Sequence, residues 1–296
     1  MRVAIIGAPI DFGASRRGVD MGCSAIRYAG LQSSLQRLGH DVVDLGNADV
    51  TLAEHGKTVD PRLKHLDEII SASAALAELV GVARADGRLP ITLGGDHSIS
   101  LGSIAGAAVG RTLGVLWIDA HGDFNTHETS PSGNIHGMPL AASCGLGDAR
   151  LVNLAYPGPK ADPRHVALVG VRDLDEAEKA LLREQGVSVF TIQHIDRLGM
   201  DRVMAEALAV VTNGTDGVLA SLDLDVLDPR EAPGVGTPVA GGISYREAHL
   251  IMELLAESGS MIALDVVEVN PILDRENGTA ELAAELALSA LGKRIF

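Results

Sequence analysis

Leu113-Gly114-Val115-Leu116-Trp117-Ile118-Asp119-Ala120-His121-Gly122-Asp123 is the stretch on which the fold turns. An apolar block runs to Ile118 without in–out alternation and then gives way at once to two acids and an imidazole. A short continuous apolar run is the mark of a strand covered on both faces, as in a parallel sheet between helices. In such sheets ligands bind outside the carboxyl ends of the strands. Alternate residues of an extended segment point the same way, so Asp119, His121 and Asp123 converge on one side. Two carboxylates and an imidazole brought together directly after a buried strand strand their charge unless a cation joins them. The bland alternative, a solvated charged loop, fits the buried approach poorly.

The same pattern recurs outward in both directions. Further apolar runs at Arg2–Ile6, Val42–Leu45, Leu89–Leu93, Val166–Val171, Val187–Ile192, Gly217–Leu222 and Met261–Val266 read as strands, giving eight with Leu113–Ile118. Helical periodicity marks Leu66–Ala83, Glu176–Gln185, Asp201–Thr212, Tyr245–Glu257 and Thr279–Leu291. Alternation of this kind predicts one α/β domain over residues 1–296, with a mainly parallel sheet flanked by helices on both faces. Ala48–Lys64, Asn125–Pro139 and Asn153–Pro163 read as surface loops.

Composition narrows the function. With 24 Lys+Arg against 39 Asp+Glu the formal net charge is −15, which argues against a nucleic-acid binder. No apolar stretch approaches the ~18 residues of a membrane span, and the start, Val3 to Ile10, is too short for a secretion signal and reads as a first strand. Cys23 and Cys144 cannot form a disulfide framework and point to a reducing compartment, so a cytoplasmic location is expected. At 46% hydrophobic and 3% aromatic, the chain suits tight helix-on-sheet packing rather than a stacking surface.

Two other polar clusters follow apolar strands. Gly94-Gly95-Asp96-His97-Ser98 is weak alone, since a glycine turn with a helix-capping histidine explains it. Ser221-Leu222-Asp223-Leu224-Asp225 again spaces its acids at i and i+2; an exposed acidic edge strand is the competing reading. Together the clusters supply His97, Asp119, His121, Asp123, Asp223 and Asp225 as metal ligands. Six ligands with four negative charges exceed a tetrahedral zinc site, and the oxygen-rich set suits manganese, with zinc, cobalt or iron also admissible. Shared carboxylates let such a set hold two cations about 3.5–4 Å apart and activate a bridging water. A two-metal hydrolase is the reading from the residues alone.

Ile6-Gly7-Ala8-Pro9, the three clusters and Glu268-Val269-Asn270-Pro271, in this order, resemble the ureohydrolase family, and within it the arginase branch, over nearly the whole chain. The resemblance implies an eight-stranded parallel sheet and two Mn2+ per subunit, other divalent ions such as Co2+ being possible. It assigns His97, Asp119, Asp123 and Asp223 to one ion, and His121, Asp119, Asp223 and Asp225 to the other. It further implies hydrolysis of L-arginine to L-ornithine and urea by a metal-bridging hydroxide.

Asn125, Ser130, Ser132 and Asn134, in the loop ending Ser132-Gly133-Asn134-Ile135-His136-Gly137, match the positions that hold the substrate α-carboxylate. Asp175 matches the direct acceptor of the α-ammonium and Glu178 a water-mediated one. Glu268 matches the carboxylate that pairs with the guanidinium, His136 the proton shuttle, and Thr237 a threonine near the substrate. The carboxylate-reading loop favours arginine over the substrates of agmatinases and guanidinobutyrases. A single-zinc amidohydrolase and a non-catalytic arginine- or metal-binding protein are the rivals from other classes. Gly241–Glu247 and the short carboxyl end, Leu291–Phe296, resemble bacterial members, so a homo-oligomer, trimer or hexamer, is expected.

Overall fold

The computed structural model describes residues 1–50 and 58–294; of the loop expected at Ala48–Lys64, residues 51–57 lie outside the described residues. Eight strands form one sheet: β1 Arg2–Ala8, β2 Asp41–Asn47, β3 Leu89–Gly94, β4 Leu113–Ile118, β5 Val166–Val171, β6 Ser188–Thr191, β7 Gly217–Asp223 and β8 Met261–Val267. Their order is β2-β1-β3-β8-β7-β4-β5-β6. Every neighbouring pair is parallel.

The helices are α1 Gly22–Tyr28, α2 Leu31–Arg37, α3 Leu66–Ala85, α4 Ser100–Ala108, α5 Pro139–Ser143, α6 Ala149–Val152, α7 Glu176–Gln185, α8 Ile192–Leu198, α9 Met200–Val211, α10 Tyr245–Ser258 and α11 Gly278–Ala290. Strand side chains alternate between two apolar layers. Val3, Ile5, Leu116 and Ile118 pack with α1, α2, α9, α10 and α11 on one face. Ala4, Ile6, Val115 and Trp117 pack with α3 to α7 on the other. Burial on both faces is why the strands read as unbroken apolar blocks.

The all-parallel sheet agrees with the expectation, and the main differences lie in helices. The run expected as a strand to Ile192 stops at Thr191, whose side chain and His194 form a capping box that starts α8 at Ile192. Helices α1, α2, α4, α5, α6 and α8 were not anticipated. In α4 every residue is buried, so no polar face gives it a helical period.

Candidate metal centre and substrate cleft

Four adjacent strands at the middle of the sheet, β3, β8, β7 and β4, deliver the polar clusters to one place. After β3 the chain turns at Gly95, where a Cβ would lie 2.4 Å from the Ile10 carbonyl oxygen, so only glycine fits. Asp96 then caps the following turn, accepting from Ser98 N at 3.0 Å and Gly13 N at 2.8 Å, and leaves His97 fully buried. After β4 and β8, Asp123 (φ 48°) and Glu268 (φ 64°) adopt left-handed backbone conformations. These turns aim their carboxylates back toward the strand ends. Non-glycine residues hold such a conformation only where the surroundings impose it, commonly at functional sites.

His97 Nδ1 lies 3.1 Å from Asp119 Oδ2, 3.0 Å from Asp123 Oδ2 and 3.2 Å from Asp223 Oδ2. It makes a well-formed hydrogen bond to none of them. Its other nitrogen, Nε2, is 2.7 Å from Ser221 Oγ, and the ring stacks on Trp117 at 4.0 Å between centroids. Trp117 Nε1 in turn donates to Asp119 Oδ2 at 3.0 Å. With Nε2 carrying its proton toward Ser221, the Nδ1 lone pair faces three carboxylate oxygens, an arrangement that a cation at their centre makes favourable. His121 Nδ1 sits 3.0 Å from Asp225 Oδ2 and 3.4 Å from Asp119 Oδ1. Two mutually close donor sets result, His97–Asp119–Asp223 and Asp119–His121–Asp225, sharing Asp119. Asp123 reaches His97 without joining either set, and Asp223 belongs to the first alone. This donor chemistry fits a pair of divalent cations.

Electrostatics agree. Burial raises the Asp123 pKa to about 6 and moves Asp223 and Asp225 upward. Burial would lower both imidazoles, but the surrounding carboxylates hold His97 and His121 well above their ordinary value. Burial acts to raise Asp119 too, but hydrogen bonds and charge from His121 and His97 hold it below its ordinary value. The cluster thus keeps its protons on the imidazoles and the outer carboxylates, around groups that favour positive charge.

Above this cluster opens a cleft of about 180 Å³ lined by the loop after β4 and the turn after β5. Asn125, Ser130, Ser132, Asn134, His136, Asp175, Glu178 and Thr237 all line it, as do His121, Asp123 and Asp223. Asn125 Nδ2 donates to Asp175 Oδ2 at 3.0 Å, and Thr237 Oγ1 to Asp225 Oδ2 at 3.0 Å. Glu268 is fully buried; its Oε1 accepts from His97 N at 3.0 Å and from His136 Nδ1 at 3.1 Å, while its Oε2 has no partner among the described residues. A Cβ on Gly236 would stand 2.9 Å from that oxygen, so the missing side chain leaves it space.

The chain matches the family model described as the arginase family over residues 1–292. It belongs to the arginase family. The arginase of Brevibacillus brevis is 53% identical over 295 residues, 99% of each chain. The native Bacillus caldovelox arginase structure superposes with a TM-score of 0.97 at 52% identity, covering 100% of this chain and 99% of that one. The Entamoeba histolytica arginase solved with L-ornithine gives a TM-score of 0.90 at 31% identity, covering 99% of each chain.

Sequence reading had not singled out Asp173, which lines the cleft, nor Ser221 and Trp117 as supports of His97. Asp173 had a signal: it stands two residues before Asp175 in an extended turn after β5, so both point the same way. Ser221 had a weaker one, sitting at i−2 from Asp223 on β7.

Proposed function

We propose that this protein hydrolyses L-arginine to L-ornithine and urea at a binuclear manganese site. The observation that carries this reading is the pair of His–Asp donor sets sharing Asp119, beneath a cleft walled by uncharged Asn and Ser donors. Its near-full-length identity to arginases supports the substrate. His97, Asp119, Asp123, Asp223, His121 and Asp225 hold the ions. When bound, the two cations supply Lewis acidity that makes a water nucleophilic near neutral pH.

The chain's own groups do the rest. The unpartnered Glu268 Oε2 accepts from the planar guanidinium and orients its carbon over the metal ligands. Asn125, Ser130, Ser132 and Asn134 donate to the α-carboxylate, and Asp175 accepts from the α-ammonium with Glu178 behind it. Thr237 steadies Asp225 beside the guanidinium. Water adds to the guanidinium carbon and the bond to the side-chain nitrogen breaks, so that nitrogen needs a proton. His136 is the donor: burial works against its charge, but the Glu268 carboxylate 3.1 Å away favours its protonated form.

Assembly as a trimer or hexamer and a cytoplasmic location belong to the same reading. Support for the latter is that both cysteines are free and buried. Among the described residues no helix is long and apolar enough to cross a membrane.

Urea release by manganese-loaded protein, with arginine and agmatine at matched concentration, is the test. Strong preference for arginine is expected. Preference for agmatine would overturn the reading of Asn125–Asn134, and no urea from either would overturn the hydrolase.

A further inference from the structure

The cleft is acidic. Asp123, Asp173, Asp175, Glu178 and Asp223 line it against His121 and His136, and no lysine or arginine is among its described lining residues. Such a surface suits a guanidinium and an ammonium but opposes a carboxylate. Behind the wall, however, Lys64 Nζ stands 3.1 Å from Asn134 Oδ1, half-buried. Its placement is built rather than incidental. Lys64 N donates to the Gly133 carbonyl oxygen at 3.1 Å. A Cβ on Gly133, at φ 71°, would lie 2.0 Å from the Pro61 carbonyl oxygen, so Pro61–Lys64 and the Ser130–Asn134 turn are fitted against each other.

An ammonium donates and never accepts. Asn134 must therefore turn its oxygen toward Lys64, which leaves its two N–H bonds facing away. The Ser15 hydroxyl sits beside both ends of the amide, 3.0 Å from Nδ2, from which it accepts, and 3.1 Å from Oδ1, to which it can donate, so it favours neither orientation and the ammonium decides. Among the described residues the other N–H has no hydrogen-bond partner, and Asn134 lines the cleft. Without the ammonium, rotation of the amide by half a turn would present oxygen to an incoming carboxylate. A cation on Oδ1 also polarises the amide and strengthens the remaining N–H as a donor.

We propose that Lys64 is a positioning residue that selects substrates carrying an α-carboxylate, by fixing which end of the Asn134 amide faces the cleft. The inference rests on the arginine-hydrolysis reading and deepens it. Its test is steady-state kinetics of manganese-loaded wild type, Lys64→Met, Lys64→Arg, Asn134→Ala and the Lys64→Met/Asn134→Ala double variant with arginine. Lys64→Met is expected to raise KM about ten-fold and leave kcat within about two-fold, the loss typical of one charge-assisted hydrogen bond. Lys64→Arg, which keeps the charge, should return KM to within about three-fold of wild type. In the Asn134→Ala background Lys64→Met should change KM by less than about two-fold, because its partner is already gone.

An unchanged KM in Lys64→Met, or effects that multiply in the double variant, would overturn the role. Should Lys64→Met fail to fold, Lys64→Gln carries the same comparison. Wild type that releases no urea from arginine removes the functional reading and this inference together. Active wild type with an unaltered Lys64→Met removes the inference alone.

Discussion

Glu268 serves two neighbours at once, holding His136 through Oε1 and keeping Oε2 free toward Gly236. Oε1 also accepts from the His97 backbone N–H, but the His136 side chain belongs to neither donor set, which makes it separable from the metal ligands. His136→Asn should lower kcat by roughly 100- to 10,000-fold while bound metal, counted by elemental analysis, stays at the wild-type level; full turnover would end its proton-donor role. Glu178 offers a test that needs no substrate. Its Oε1 accepts from Phe124 N at 2.9 Å and its Oε2 from Asp175 N at 3.3 Å, and burial raises its pKa from 4.5 to about 7. The folded chain keeps this proton where the unfolded chain has lost it. Stability therefore falls as pH rises through that window, with the loss complete above the folded value. Glu178→Gln should shrink the difference in unfolding free energy between the two ends of the window by roughly 3 kcal/mol, read from urea melts. The cluster residues were legible because each acid or imidazole sits within a few positions of a buried strand end. Lys64 was not, because its partner Asn134 lies 70 residues away and only the folded loops bring them together.

At the scale of elements, α4 shows what an apolar period cannot reveal. It is enclosed by α3 and the sheet, and glycines permit the contact: a Cβ on Gly106 would meet the Ala77 carbonyl oxygen at 2.5 Å and Val80 Cβ at 2.8 Å. The backbones thus approach more closely than an alanine allows. Gly106→Ala, otherwise favourable in a helix, should instead destabilise the protein by about 1–3 kcal/mol through overpacking, measured by denaturant unfolding. A gain in stability would mean that α3 and α4 separate readily. The long helices α3, α7, α9, α10 and α11 were readable in the sequence, within two residues at either end. The shorter α1, α2, α5, α6 and α8 were not, since one or two turns hold too few apolar positions to establish a period. Arg172 illustrates a different kind of support. Its guanidinium donates to the carbonyl oxygens of Asp225, Val226, Leu227 and Val239, tying the turn after β7 to the loop that carries Thr237.

For the molecule as a whole, the centre binds opposite ends of the chain into one structure. Four buried carboxylates gathered there repel one another, so cations that bind only the folded state stabilise it. Dialysis against a chelator should lower the thermal midpoint by roughly 5–10 °C, and added manganese should restore it, by calorimetry. A midpoint indifferent to chelation would argue against a metal-filled centre. The strand order carries one more consequence, for synthesis. The two innermost strands, β7 and β8, are made last, and they lie between β3 and β4, which are made much earlier. Until the final third of the chain leaves the ribosome, β3 and β4 each expose an unpaired edge, and His97 and Asp119 wait on opposite sides of a gap. The nascent protein therefore cannot capture its ions early. Closing the sheet and assembling the catalytic pocket are the same late event, and in the interval those open edges are what a chaperone would need to shield.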